Sequence, residues 1–193
     1  MNESQQAELA FWKSIYEYYG EKYLAFREGD MGWYASGFWD LDLKGKGLEV
    51  GTGMFSMLAF SDADVVGIDP LQKEFQAIFP YPQSRVEHLV GDGECLLFGD
   101  ESFDWVVYWN VIDHTPNPHL MSQEIARVLK PGGKLYLEVN FDEVLTPEHY
   151  GLWDEARVEE VLGNFTETYR HYEYNKPMRR RSFFGIFEKA AER

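Results

Sequence analysis

The alternation of apolar and polar positions along the chain predicts strands separated by helices. Apolar runs of strand length occur in the middle of the chain, at Gly47–Val50, Val65–Ile68, Val86–Val90, Phe103–Trp109 and Leu135–Val139. Segments with helical character stand between several of these runs, at Met54–Phe60, Leu71–Phe79 and His119–Leu129. The last of them ends at Lys130-Pro131-Gly132-Gly133, a predicted helix stop followed by a turn. Strands that alternate with helices indicate an α/β fold with a mostly parallel, doubly wound, Rossmann-like sheet.

Both ends of the chain depart from this alternation. Residues 4 to about 27 carry apolar side chains near helical spacing and predict one or two amphipathic helices. The aromatic break that follows contains Tyr34 and is either a lid over a bound ligand or ordinary packing. Near the C-terminus, a helix at Asp154–Leu162 precedes two strand-like runs, Phe165–Tyr174 and Ser182–Glu188, which predict an antiparallel hairpin. The predicted sheet therefore has seven strands.

A glycine-punctuated loop, Gly51-Thr52-Gly53, follows the first predicted strand directly. A strand, a tight glycine turn and a helix N-terminus form a nucleotide-sized crevice in α/β sheets. Asp69 ends the second apolar run, close to the spacing of roughly 20 residues expected for a carboxylate that binds ribose hydroxyls. Together the loop and the acid predict a nucleoside site.

Composition narrows the range of partners. The chain carries 18 basic against 33 acidic residues, a net charge of −15, which disfavours nucleic acid and anionic membranes as partners. The single cysteine, Cys95, excludes an intrachain disulfide and indicates a reducing compartment, and its apolar neighbours predict a core position. Neither a transmembrane run nor a signal-peptide pattern appears, so we expect a cytoplasmic protein.

Four stretches of the chain carry a family pattern: LEVGTG at residues 48–53, VGIDP at 66–70, GDGE at 91–94 and EIARVLKPGG at 124–133. With them, residues 48–140 resemble the class I S-adenosylmethionine-dependent methyltransferases of the compact, small-molecule, type 11-like kind. One position differs from the family pattern: Phe55 occupies the place where the family usually has a third glycine. We expect one domain over residues 1–193, with a helical cover at about 1–40, a nucleoside-binding core at about 41–140, and a C-terminal helix and hairpin at about 141–193.

The resemblance implies that S-adenosylmethionine binds at the loops after the strands. Glu49 suits its ammonium and sulfonium charges, whereas a carboxylate beside this loop is a poor neighbour for a pyrophosphate. Asp69 is expected to accept hydrogen bonds from the ribose hydroxyls. By the resemblance, Asp92 and Gly93 lie at the adenine edge and Asn110 at the methionine end. The remaining implied cofactor-binding residues are Gly51, Thr52, Gly53, Pro70 and Glu94.

Asp113 and His114 follow the fourth strand, where the resemblance places the transferred methyl group. His114 is a candidate general base because its reference pKa is near neutrality, and alternatively it orders the loop or shapes the pocket. Further candidate substrate contacts are Tyr34, His149, Tyr150 and Arg179. No spacing typical of metal ligands appears, so we expect no metal.

The resemblance thus implies in-line transfer of a methyl group to a small-molecule acceptor, with S-adenosylhomocysteine as product. Two alternatives stay open: a non-catalytic protein that binds S-adenosylmethionine or S-adenosylhomocysteine, and a nicotinamide-dependent oxidoreductase. The sequence after the fourth strand, Trp109-Asn110-Val111-Ile112, lacks the Pro-Pro-aromatic stretch of nucleic-acid amine methyltransferases. Oxygen, nitrogen and carbon acceptors all remain open, as do a monomer and a homodimer.

Overall fold

A seven-stranded sheet organises the chain in the computed structural model, which describes residues 1–20, 22, 41–59, 61–79, 86–142, 144–175 and 180–190. The strands are β1 (Lys46–Val50), β2 (Asp64–Asp69), β3 (Glu87–Val90), β4 (Phe103–Trp109), β5 (Leu129–Phe141), β6 (Phe165–Asn175) and β7 (Arg180–Lys189). Their order across the sheet is β3-β2-β1-β4-β5-β7-β6.

Helices in the described residues are α1 (Glu3–Tyr19), α2 (Gln72–Ile78), α3 (Pro118–Val128) and α4 (Glu155–Val161), with a single 3-10 turn at Ile112–His114. Asparagine or aspartate side chains cap α1, α3 and α4, and each accepts a hydrogen bond from a backbone N–H in the first turn of its helix. α1 is followed by Gly20, whose φ of 56° few other residues adopt, and most of the predicted helical region beyond it lies outside the described residues. None of these helices combines the length and the apolar character that crossing a bilayer requires.

The direction of the strands confirms the predicted fold class. β1, β2, β3, β4 and β5 pair in parallel, and β7 joins β5 and β6 in antiparallel fashion. The chain order reverses between β1 and β4, so their carboxyl ends open a crevice at the switch point of the sheet.

The central strands are mostly apolar because both faces of the sheet are covered. Leu48, Val106 and Leu135, on three adjacent strands, are all fully buried. One face packs on α3 and α4 through residues such as Ile125 and Val158. Strands buried on both sides lose the polar alternation of a half-exposed sheet, which explains the continuous apolar runs of the sequence.

The predicted helix at Met54–Phe60 is wrong over its described residues, 54–59, which form turns. Gly51 and Gly53 turn the backbone with φ of 74° and 58°. Side-chain carboxylates accept from backbone N–H groups here: Asp69 from Gly53 at 2.8 Å and Glu49 from Met57 at 2.9 Å. In a helix that begins at Met54, the N–H of Met57 would instead bond within the helix. Local capture by carboxylates competes here with helical hydrogen bonding.

The predicted turn at residues 130–133 lies inside β5. Phe103 pairs with Leu129 and Trp105 with Lys134, so the extra residues form an irregularity within the strand pair. Gly132, with φ of 73°, supplies the bend that lets the chain pass from α3 into β5 without a separate loop.

Cys95 is exposed, so its predicted core position is wrong. Its backbone N–H donates to the carbonyl of Asp92 at 3.1 Å, and this tight turn directs the cysteine outward. Two candidate substrate contacts, Tyr34 and Arg179, and the aromatic break lie outside the described residues.

Candidate functional site

A cavity of about 930 Å³ lies at the carboxyl ends of β1, β2 and β4. Its wall combines the glycine loop, the residues after β3 and β4, and one face of α1. This volume is in the range of pockets that enclose a cofactor-sized ligand. The crevice that the topology predicts is therefore present in the molecule.

The glycine loop holds its backbone against the sheet. The N–H groups of Gly51 and Thr52 both donate to the carbonyl of Ile68, at 2.8 Å and 3.1 Å. A Cβ atom on Gly51 would lie 2.5 Å from the side chain of Val111. A glycine is required here by both the positive φ and the close approach of the chain that follows β4.

Glu49 lies in the cavity wall with only 3% of its surface exposed. Its carboxylate accepts from the hydroxyl of Ser56 and from the N–H of Met57. The turns after the glycine loop therefore hold the side chain in one orientation at the edge of the cavity.

Asp69 occupies the same cavity from the end of β2. Its two oxygens accept from the N–H groups of Gly53, at 2.8 Å, and Leu71, at 2.7 Å. Burial raises the pKa of Asp69 to about 6, although these two hydrogen bonds favour the charged form. Each oxygen keeps a further lone pair for a ligand. Neighbouring Pro70 also lines the cavity.

The residues after β3 form a further part of the wall. Asp92 accepts from the N–H of Glu94 at 2.9 Å, and Glu94 accepts from the N–H of Asn117, which caps α3, at 2.8 Å. A Cβ atom on Gly93 would lie 2.4 Å from the side chain of Met121. Asp92, Gly93 and Glu94 therefore present a short, tightly held turn to the cavity.

Asn110 ends β4 in the left-handed region, with φ of 51°. Its side chain accepts from Asn140, whose own oxygen accepts from Ser182 at 2.6 Å. This chain of hydrogen bonds links three strands below the cavity. Sequence reasoning missed Asn140 and Ser182, because only the pairing of β5 with β7 brings them together.

Phe55, at the departure from the family pattern, is buried in the cavity wall. The cavity keeps its volume of about 930 Å³ beside this ring. Glu49, Asp69 and the glycine loop thus line one cavity together, as the sequence analysis requires.

Glu8 of α1 contributes to the site and was also missed by sequence reasoning. One carboxylate oxygen lies 3.2 Å from Nδ1 of His114, and the side chain also accepts from the indole N–H of Trp12. Glu8, Trp12 and Ile15 follow helical spacing and all line the cavity. An acid within an apolar helical stripe is the signal that identifies such a residue.

His114 lies between two acids. Burial opposes its charged form, but the hydrogen bond with Glu8 and the charge of Asp113 outweigh it and raise the pKa of His114 to about 9. Asp113 is itself buried, and burial raises the pKa of its carboxyl group. The histidine therefore carries its proton at neutral pH in this arrangement.

The loop after β5 brings two further candidates to this point. Nε2 of His149 lies 3.4 Å from Oδ2 of Asp113. The ring centroids of His149 and His114 are 4.5 Å apart, in an edge-to-face arrangement. The backbone N–H of Tyr150 donates to the carbonyl of Asp113 at 2.8 Å, and Tyr150 lines the cavity. The structure thus joins residues that are far apart in sequence, while their roles stay predictions.

Comparison with known proteins identifies this architecture. The family described as "Methyltransferase domain" matches residues 48–137. An uncharacterized methyltransferase of Mycobacterium tuberculosis is 38% identical over 94 residues, which are 47% of this chain and 37% of that protein. An uncharacterized protein of Methanocaldococcus jannaschii is 34% identical over 96 residues, 50% of this chain and 45% of that protein. The chain therefore spans less than half the length of these curated relatives.

Solved structures share the fold over more of the chain. A chain from the complex of the Haloferax volcanii Trm112 methyltransferase activator has a TM-score of 0.67 at 16% identity, covering 97% of this chain and 98% of its own. A SAM-dependent methyltransferase from Methanosarcina mazei has a TM-score of 0.61 at 21% identity, with coverages of 76% and 93%. At these identities the likeness concerns the fold alone.

Proposed function

We propose that this chain, whose residues 48–137 match the methyltransferase-domain family, is a class I S-adenosylmethionine-dependent methyltransferase that transfers a methyl group to a small-molecule acceptor by in-line displacement. The observation that carries the proposal is the shared cavity of Glu49, Asp69 and the glycine loop. When bound, S-adenosylmethionine supplies a methyl group activated by its positive sulfur. The chain's own residues then have to bind the cofactor, orient the acceptor toward the methyl group and exclude water from the cavity.

The charge of the cavity fits this cofactor. Its described lining residues include one protonated histidine, His114, but neither lysine nor arginine. They also include seven carboxylates: Glu8, Glu49, Asp69, Asp92, Glu94, Glu138 and Glu173. A positive group about 4 Å from one carboxylate gains roughly 4 kcal/mol at an effective dielectric constant of 20. A pyrophosphate in the same place would be repelled by a similar amount per charge. The lining therefore favours a cationic cofactor over a nicotinamide dinucleotide.

Each part of the cofactor has a chemically suitable partner. We assign the ammonium group to Glu49, the ribose hydroxyls to Asp69 and the adenine edge to Asp92 and Gly93. Gly51, Thr52, Gly53 and Pro70 supply a close backbone surface, and Glu94 and Asn110 complete the wall. The open space above Gly53, where no atom lies within 4 Å of a hypothetical Cβ, is consistent with a ligand that approaches the loop.

The acceptor is proposed to bind under α1. Phe11, Trp12 and Ile15 from α1 and Phe184 from β7 line the cavity, next to the carboxylate of Glu8. An apolar and acidic surface suits a small neutral or cationic molecule better than a nucleic acid, whose phosphates require basic partners. The same charge argument disfavours an anionic membrane surface.

His114 and Asp113 are proposed to shape the part of the cavity that binds the acceptor. Because His114 shares a proton with Glu8, it has no free lone pair at Nδ1 to accept a proton from the acceptor. Orientation alone supplies roughly 7–11 kcal/mol of barrier reduction, whereas a general base adds roughly 10²–10⁴-fold in rate. We therefore assign these residues to pocket shape and to holding α1 in place. The whole chain is proposed to act as one cytoplasmic domain, as a monomer or homodimer.

Titration calorimetry with S-adenosylmethionine, S-adenosylhomocysteine and NADH tests the cofactor assignment. We expect both sulfur compounds to bind at one per chain, and Glu49→Gln and Asp69→Asn each to weaken binding at least tenfold. Asp64→Asn is a matched control, because Asp64 is exposed at the opposite end of the strand that carries Asp69. Binding of NADH instead would refute the proposal and favour an oxidoreductase.

Transfer itself is tested by incubating the chain with S-adenosylmethionine and a panel of small hydroxyl, amine and activated-carbon acceptors. We expect S-adenosylhomocysteine to accumulate with at least one acceptor class. Cofactor binding without product for any acceptor favours the non-catalytic alternative.

A further inference from the structure

Asp113, His114 and His149 meet at the cavity wall in an arrangement that methyl transfer alone does not require. One donor atom from each side chain lies within 4.8 Å of the other two. We propose that these three residues form a binding site for a divalent first-row transition-metal ion, with Zn²⁺ as the representative ion. This proposal does not depend on the proposed methyl transfer.

The spacing of the donor atoms is close to that of a metal site. Nε2 of His149 lies 3.4 Å from one oxygen of Asp113, and Nε2 of His114 lies 3.8 Å from the other. A tetrahedral ion with bonds of about 2.1 Å separates its ligand atoms by roughly 3.4 Å. Side-chain rotations that shorten separations of at most 4.8 Å to roughly 3.4 Å would bring one atom of each residue into a ligand position.

Second partners already orient both imidazole rings. Nδ1 of His114 faces Glu8 at 3.2 Å, and Nδ1 of His149 faces the hydroxyl of Thr146 at 2.7 Å. Metal-binding histidines commonly use one ring nitrogen for such a contact, which leaves the other for the ion. In both residues the nitrogen that remains, Nε2, is the one directed at Asp113, and an ion that binds there displaces the proton from Nε2 of His114.

The carboxylate of Asp113 is buried, with 3% of the residue exposed, and its Oδ1 has no hydrogen-bond partner among the described residues. An unpaired buried carboxylate oxygen is costly, and a bound cation is one way to satisfy it. The backbone around it is held in place, because Tyr150 donates to its carbonyl and Ser4 of α1 docks on Glu148 at 2.7 Å.

Two imidazoles and one carboxylate select the kind of ion. Nitrogen donors suit Zn²⁺ and its first-row neighbours, whereas Mg²⁺ prefers oxygen ligands and retains its waters. Three protein ligands leave at least one coordination position open, as in catalytic rather than structural zinc sites. His114 and Tyr150 line the cavity, so the ion would lie beside the space proposed for the acceptor.

Calorimetry of the chelator-treated full chain with ZnCl₂, CoCl₂ and MgCl₂ tests the site. We expect one Zn²⁺ or Co²⁺ per chain, a visible absorption band of tetrahedral Co²⁺, and at least 100-fold weaker binding of Mg²⁺. His149→Ala should weaken Zn²⁺ binding at least tenfold, and Thr146→Val about tenfold through the orientation of His149. His119→Ala is the matched control, because this half-exposed histidine lies outside the cluster and should leave binding unchanged.

Circular dichroism and cooperative urea unfolding show that each variant is folded, independently of its metal affinity and of cofactor binding. The proposal is overturned if folded wild-type chain binds neither Zn²⁺ nor Co²⁺. It is also overturned if a His114→Ala/His149→Ala double variant keeps the wild-type stoichiometry and affinity. Loss of cofactor binding with retained Zn²⁺ binding would refute the proposed function and leave the metal site standing.

Discussion

Asp69→Asn should change how the stability of the protein depends on pH. Asp69 has 6% of its surface exposed, and burial raises its pKa from 3.8 to about 6. A carboxyl group whose pKa is higher in the folded state binds more protons there than in the unfolded chain. Its contribution to stability is therefore fully present below pH 3.8 and is lost as the pH rises through about 6.

The magnitude follows from the two pKa values. A rise from 3.8 to about 6 corresponds to about 3 kcal/mol between the fully protonated and fully ionised limits. About 1.4 kcal/mol of this falls between pH 5 and pH 8 by the linkage relation. Asn cannot ionise, so this part of the pH dependence is absent in the variant. The variant also leaves the N–H of Gly53 or Leu71 without an acceptor. This loss lowers the free energy of unfolding by about 1–3 kcal/mol at every pH.

Urea unfolding at pH 5, 6.5 and 8, at constant ionic strength, measures this difference. We expect the free energy of unfolding of the wild type to fall relative to Asp69→Asn by about 1.4 kcal/mol from pH 5 to pH 8. Asp64→Asn, at the exposed start of the same strand, should stay parallel to the wild type. Parallel profiles for wild type and Asp69→Asn would refute the reasoning, because Asp69 would then ionise without a burial cost.

Three further predictions concern the cofactor site. S-adenosylhomocysteine affinity should fall as the pH drops through about 6, because protonated Asp69 loses acceptor capacity; calorimetry on Asp69→Asn should show no such step. Glu49→Gln should weaken the binding of S-adenosylmethionine more than tenfold at low salt. If charge is the cause, raising the salt concentration should reduce the difference in affinity between wild type and variant, as measured by calorimetry. Gly51→Ala should destabilise the fold by about 1–3 kcal/mol more than Gly132→Ala in urea unfolding. Both glycines have φ above 70°, but only Gly51 faces Val111 at 2.5 Å, so equal losses would contradict the steric argument.

Continuous apolar runs made the sheet predictable. The bounds of Phe103–Trp109 agree with those of β4, because a strand covered on both faces is apolar along most of its length. Its one charged residue, Asp104, lies near the start of the strand and pairs with Lys130. The glycine loop and Asp69 were also predictable, since a left-handed turn and a strand-end carboxylate are encoded locally. The sequence related the glycine loop to Asp69 only through their spacing. In the structure they are joined by a hydrogen bond, in which Asp69 accepts from the N–H of Gly53.

Local patterns failed where a distant side chain or strand decided the backbone. The residues after Gly53 have the composition of a helix, yet the carboxylate of Glu49 takes the N–H of Met57 there. Likewise, pairing with β4 draws residues 129–133 into β5, although their composition indicates a helix stop and a turn. In both places tertiary hydrogen bonds outweigh local propensity.

The amino-acid sequence by itself determined the class of the fold, the glycine loop and the acids of the nucleoside crevice, because each leaves a local pattern of apolar runs, glycines or strand-end carboxylates along the chain. Only the tertiary structure decided that Glu8 reaches His114 and that His149 reaches Asp113. These contacts depend on how α1 and the loop after β5 dock on the sheet, which residue spacing does not record. The cluster beside the cavity exists because distant segments bury their polar groups against one another.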